Sequence, residues 1–140
     1  MRSTGYARIA RQEVAMKARS LRALNRTRGT VLCGQLEDAG GVAGQTRGLL
    51  GRERLEPGHG MLFARGRFEP FMWMHMFFMR FAIDIVFLDR NGVVIKINPE
   101  LKPWRISSVV TRARKALELP AGAAAQSGTA VGDSIALEEI

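Results

Sequence analysis

The chain is poor in the residues that most often carry chemistry. It has one cysteine, two histidines and one tyrosine in 140 residues. A lone Cys33 excludes an internal disulfide framework and any zinc site built on clustered cysteines. Two histidines without clustered carboxylates give no metal set by spacing, so no cofactor is expected. No apolar run approaches the ~18 residues that a membrane-spanning helix requires. With 46% hydrophobic residues there is enough to build one core, and the length suits a single domain.

What the sequence does have is basic charge, and it is concentrated. The formal charge is +8. Residues 1–30 carry eight basic side chains against Glu13 alone, whereas the other 110 residues hold 13 basic and 12 acidic ones. Placed on a helix from Tyr6, the segment puts Ile9, Val14, Met16, Leu21 and Leu24 on one face and Arg8, Arg11, Arg19 and Arg22 on the other. Ser3 or Thr4 would cap it and Gly29 would stop it. The spacing therefore predicts a basic amphipathic helical arm over 1–29 ahead of a domain over 30–140. Such an arm packs on the domain, lies on an anionic membrane surface or meets a protein partner, with nucleic acid a weaker alternative. Its arginines recur every three or four residues along the chain, where a secretory signal has an uninterrupted apolar stretch. A cytoplasmic protein, peripheral to the inner membrane through this arm, is the expectation.

After Gly29 the period shortens. Strands are predicted from Thr30 to Leu36, at Met61 to Phe63, within the apolar centre from Phe71 to Leu88, at Val93 to Ile97, at Ala116 to Leu119 and from Ser134 to Glu138. Asn91-Gly92 between two apolar runs is a hairpin signal, because both positions tolerate positive φ. A short helix fits 42–50, and a helical turn fits 121–127. The pattern predicts a mainly β fold with one or two short helices: a small jelly-roll-like β-sandwich or a partly closed barrel.

Several segments also share a known pattern. The stretch His75 to Asp89 (HMFFMRFAIDIVFLD) is similar to the central signature of the small bacterial and archaeal proteins classed as domain of unknown function 192. So are Arg47 to Arg52 (RGLLGR), Gly60 to Phe63 (GMLF), Leu101 to Arg105 (LKPWR), Glu118 to Gly122 (ELPAG) and Gly132-Asp133. The resemblance covers about 30–138, leaves the arm outside, and implies a compact, mostly β domain of sandwich or jelly-roll type with no established reaction. Two positions depart from it: Met76 stands where Thr is usual, and Ala82 where Pro is usual.

Within the apolar centre, His75, Arg80 and Asp84 are the only charged or titratable side chains, and a buried charge needs a partner or an exit to water. One reading makes Arg80 and Asp84 structural anchors that hold loops through hydrogen bonds. The other makes His75, Arg80, Asp84, Trp104 and Arg105 the candidates for an anion or carboxylate pocket, the small ligand of a pocket protein or enzyme. No nucleophile or paired carboxylate completes a catalytic set, so no catalytic residue is named. Met72, Met74 and Met76 share one strand parity, opposite to Trp73 and His75. As soft thioethers they are Cu(I) candidates, but beside Phe71, Phe77, Phe78 and Phe81 they are better explained as core. The function read from the sequence is thus a non-catalytic binding or interaction module.

Overall fold

The computed structural model describes residues 19–39 and 52–140. Among these residues seven strands form one sheet: β1 (Ser20–Asn25), β2 (Thr30–Asp38), β3 (His59–Ala64), β4 (Ile83–Leu88), β5 (Val94–Leu101), β6 (Lys115–Pro120) and β7 (Ile135–Glu139), together with a short helix, α1 (Ala123–Gln126). The strand order is β5-β4-β6-β3-β2-β1-β7. Every pairing is antiparallel except β2 with β3.

The sheet curls until its two edge strands nearly meet. At their starts Val93 bridges Ser134, and the Val94 N–H donates to the Asp133 carbonyl at 2.8 Å. Beyond that rung β5 and β7 part, leaving a half-barrel. The enclosed face is identified by its contacts: Leu21, Val94 and Ile135, from three different edge-side strands, pack in one cluster with Leu36, Leu62, Val86, Leu117 and Leu119. The outer face of the central strands is covered as well. There Met61, Phe63, Ile83, Ile85, Phe87 and Ala116 pack under Leu55, Met72, Met76 and Met79. All six residues of β4 are therefore buried, which is why it is a nearly continuous apolar run instead of an alternating one.

The helical arm is corrected at its C-terminal end. Ser20–Asn25 is strand β1, paired to β2 on one side and β7 on the other, with Leu21, Ala23 and Asn25 buried. Leu21 belongs to the half-barrel core. Period two over five residues satisfies a sheet that gains hydrogen bonds on both sides, and that tertiary gain outweighs the helical pattern continuing from upstream. Arg19 and Arg22 are likewise occupied, ion-paired to Glu139 at 3.1 Å and to Glu138 at 2.9 Å. Arg8 and Arg11, the rest of the arm, and the helix expected at 42–50 lie outside the described residues.

Asp84 anchors loops as one reading expected. Its carboxylate accepts the backbone N–H of Glu100 at 2.8 Å, Gly122 at 3.1 Å and Ala124 at 2.9 Å. Glu100 and Gly122 both have positive φ, so one buried side chain holds the irregular end of β5 and the entry to α1. Asp84→Ala strands up to three amides and is expected to cost about 3 kcal/mol, at the upper end for one unsatisfied group. A urea midpoint unchanged by the substitution would show that the amides find other partners.

Candidate functional site

The alternation of methionines with ring side chains over 71–78 acquires its meaning from a two-stranded ribbon laid over the sheet's outer face. Met72 and Val110 exchange backbone hydrogen bonds at 3.0 and 2.9 Å, and His75 bridges Ile106. Met74 N–H donates to Ser107 Oγ at 2.8 Å, and the Met76 N–H donates to the Arg105 carbonyl at 2.7 Å. Asn98 ties the ribbon to β5: its carbonyl oxygen accepts the Ser108 N–H at 2.7 Å. Alternation then sorts the side chains. Met72 and Met76 point into the core with Met74 packed against it, and Trp73, His75 and Phe77 project outward. The three Cu(I) candidates are thus core packing groups. Among the described residues no cluster of three His, Cys, Asp or Glu side chains could hold a metal ion.

The outward side chains form a row. Trp73 and His75 have ring centroids 6.3 Å apart, His75 stacks on Phe77 at 4.9 Å, and Phe77 lies 6.3 Å from Trp104. Trp104 in turn meets Phe78 at 4.8 Å. The His75 Nδ1 accepts the Phe77 N–H at 3.3 Å, which orients the ring within the row. Ile106 and Val109 extend the same apolar surface and are also exposed.

At the end of the row the backbone is strained. Phe78 has φ 64° and Trp104 φ 67°, a region that bulky side chains avoid. A pair of hydrogen bonds holds this geometry: the Trp104 N–H donates to the Met76 carbonyl at 2.7 Å, beside the Met76 bond to Arg105. Both rings nevertheless remain largely in water, Phe78 71% and Trp104 59% exposed. Strain of this kind costs about 1–3 kcal/mol per residue and clusters where it serves a function.

The five pocket candidates are not one constellation. His75 and Trp104 join the aromatic row, and Arg105 lies on the adjacent ribbon strand. Arg80 is not buried: its exposed guanidinium faces Glu53 at 3.9 Å. Asp84 pairs opposite Leu119 and so points to the enclosed face, away from the ribbon's side of the sheet. The reason is that β4 starts only at Ile83, so Arg80 and Asp84 do not lie on one strand.

Two titratable groups are set by burial. Cys33 is enclosed, its thiol donates to the Gly58 carbonyl at 3.3 Å, and burial pushes it up to about 11, which suits a packing residue and not a nucleophile. Glu118 is only 6% exposed, and its carboxylate makes no hydrogen bond or ion pair to a described residue; burial pushes it from the ordinary 4.5 up to about 7. It lies on the outer face between Met61 and Ile85, beneath the ribbon's cover.

Comparison with known proteins gives the same fold. The model of the family DUF192, described as "Uncharacterized ACR", matches residues 23–137. A UPF0127 protein of Pyrococcus horikoshii is 42% identical over 62 residues, 44% of this chain and 53% of that protein. One from Pyrococcus abyssi is 34% identical over 82 residues, 56% of this chain and 68% of that protein. The match thus spans about half the length of the first relative. Among solved structures, a Sinorhizobium meliloti 1021 protein described as a "putative transcription regulator" superposes with a TM-score of 0.72 at 24% identity, covering 86% of this chain and 93% of that one. A protein of unknown function from Novosphingobium aromaticivorans gives 0.70 at 22% identity, covering 85% and 84%.

Proposed function

The chain belongs to the uncharacterised DUF192 family, and from that premise we propose that it works as a non-catalytic binding module that docks on anionic membrane surfaces. The observation that carries this is the strained, exposed pair Phe78 and Trp104 at the end of the aromatic row. Aromatic rings, tryptophan above all, favour the headgroup level of a bilayer. Exposed Lys102 and Arg105 flank Trp104, and exposed Arg80 follows Phe78 two residues on. Each cation near an anionic surface adds about 1 kcal/mol, and stable attachment needs both charge and apolar burial. The basic residues Arg8 and Arg11 would add to the charge. The inner face of the cytoplasmic membrane is the site this chemistry fits.

The test separates binding from folding. Phe78→Gly removes the ring and also relieves the positive φ, so its melting temperature is expected to hold or rise. Its partition onto phosphatidylglycerol vesicles is expected to fall about tenfold or more, as one lost aromatic anchor of ~1.5 kcal/mol requires. The parent chain should bind these vesicles with a blue shift of tryptophan emission, ignore phosphatidylcholine vesicles, and release as salt approaches ~0.5 M. Equal binding by the parent and Phe78→Gly would sink the reading. A mobility shift of duplex DNA without vesicle binding would replace it with the role named for the S. meliloti neighbour.

A further inference from the structure

A second site opens where the half-barrel fails to close. Past the Val93–Ser134 rung, a cleft of about 550 Å³ lies between the end of β4, the start of β6 and β7. Its apolar wall is Leu88, Ile135 and Leu137, and its cationic wall is Arg90, Arg114 and Lys115. The volume is that of an ordinary small-molecule site.

The charges in this cleft are unbalanced. None of the three cations is ion-paired to a described residue. The one acid in the lining, Asp89, is committed to the turn: its Oδ1 accepts the N–H groups of Asn91 at 2.8 Å and Val93 at 3.0 Å. At the mouth the backbones of the turn and of β7 meet directly. Gly92 has φ +79°, its carbonyl accepts the Ile135 N–H at 2.9 Å, and a Cβ there would lie 2.7 Å from the Ile135 carbonyl oxygen. Only glycine permits that approach, so the turn places Arg90 beside the cleft in a fixed frame. Three cations against the single Asp89 carboxylate leave this partly apolar recess net positive, and an anion with an apolar body relieves their mutual repulsion while covering Leu88, Ile135 and Leu137.

We propose that this cleft binds a small amphiphilic organic anion, its carboxylate or phosphate head held by Arg90, Arg114 and Lys115 and its short acyl or aryl body laid on Leu88, Ile135 and Leu137. The site is independent of the aromatic row, and its test uses the full chain at low salt. Octanoate, octyl phosphate, inorganic phosphate and octyl glucoside are each titrated by calorimetry, with the Gly92 amide followed by NMR. Octanoate and octyl phosphate should bind and shift that amide, with inorganic phosphate and octyl glucoside at least about tenfold weaker, a difference of ~1.4 kcal/mol. Preference for the carboxylate or the phosphate identifies the head group. Arg114→Gln, or Lys115→Gln should the first variant melt early, should weaken octanoate about tenfold at unchanged melting temperature. Phe78→Gly should leave octanoate binding intact, which separates this site from the vesicle-docking surface. Inorganic phosphate binding as tightly as octanoate would reduce the cleft to a cation patch. Octyl glucoside binding as tightly would reduce it to an apolar recess. No Gly92 shift at about 1 mM octanoate, or insensitivity to both cation variants, would overturn the proposal.

Discussion

A chain starting at Thr30 is expected not to fold. The deletion removes β1, which is an inner strand: β2 lies on one side and β7 on the other. β7 has no other strand neighbour in the sheet, so it is left with only its contact near Val93. The core loses Leu21 and Ala23, worth about 2–3 kcal/mol in buried apolar surface for the leucine alone. It also loses Asn25, whose side-chain amide donates to Thr129 Oγ1 and Asp133 Oδ2, both at 3.0 Å, and whose carbonyl oxygen accepts the Arg28 N–H at 2.9 Å. Thr129 and Asp133 are themselves buried, so their partners are not replaced by water without opening the fold. The combined loss is comparable with the ~5–15 kcal/mol that holds a domain of this size. Far-UV circular dichroism and urea titration decide it: a cooperative transition at the parent midpoint for the Thr30 chain would show that β1 is an accessory strand.

β1 also shows where sequence reading loses information. The alternation is there, with Leu21, Ala23 and Asn25 inward and Arg22 outward. It lasts five residues, too few to outvote a longer helical period that runs into it. Its partner β7 lies more than 100 residues away, so nothing local announces the pairing. By contrast the Asn91-Gly92 hairpin, the turn into α1 and the strands β2, β3 and β6 are specified by neighbours in the chain, and the sequence signals fall where the elements are. The partly closed barrel among the sequence readings corresponds to the half-barrel, whose second layer among the described residues is a ribbon.

The candidate site was legible in its parts but not in its assembly. Alternation correctly separates Met72, Met74 and Met76 from Trp73 and His75. It does not say which set faces water, because that depends on the ribbon lying over β3, β4 and β6. The apolar sulfur face buries and the aromatic face remains outside, the reverse of what hydrophobicity alone would suggest for two tryptophans and two phenylalanines. The left-handed backbone at Phe78 and Trp104 leaves no trace in composition, since neither residue type signals positive φ. Asp84 was singled out correctly as a charge needing partners, yet its partners are backbone amides of β5 and α1, which no side-chain motif could reveal.

Glu118 is passed over for a related reason, and its substitution gives a large, pH-dependent effect. In the run from Ala116 to Leu119 the leucines mark one face as core, so the glutamate falls on the face that a one-sided sheet turns to solvent. Here that face is covered too. With burial as the cause and an ordinary value of 4.5 raised to about 7, the folded state binds a proton that the unfolded state releases. Stability from this group is fully present below pH 4.5 and is lost as pH rises through 7, at ~1.36 kcal/mol per unit and about 3 kcal/mol in all. Asp133 acts in the opposite sense: hydrogen bonds from the Asn25 side chain, the Ala130 amide and Arg28 hold it at about 2, so its stabilisation fades as pH falls from 3.8. The parent should therefore be most stable near pH 4–5 and weaken toward pH 8. Glu118→Gln keeps the shape and removes the proton equilibrium. It should match the parent at pH 4.5 and exceed it by about 3 kcal/mol, roughly 10 °C in melting temperature, at pH 8. Parallel stability curves for the two proteins between pH 4.5 and 8 would show that the Glu118 carboxylate reaches water and that the ribbon does not close the outer face of β6.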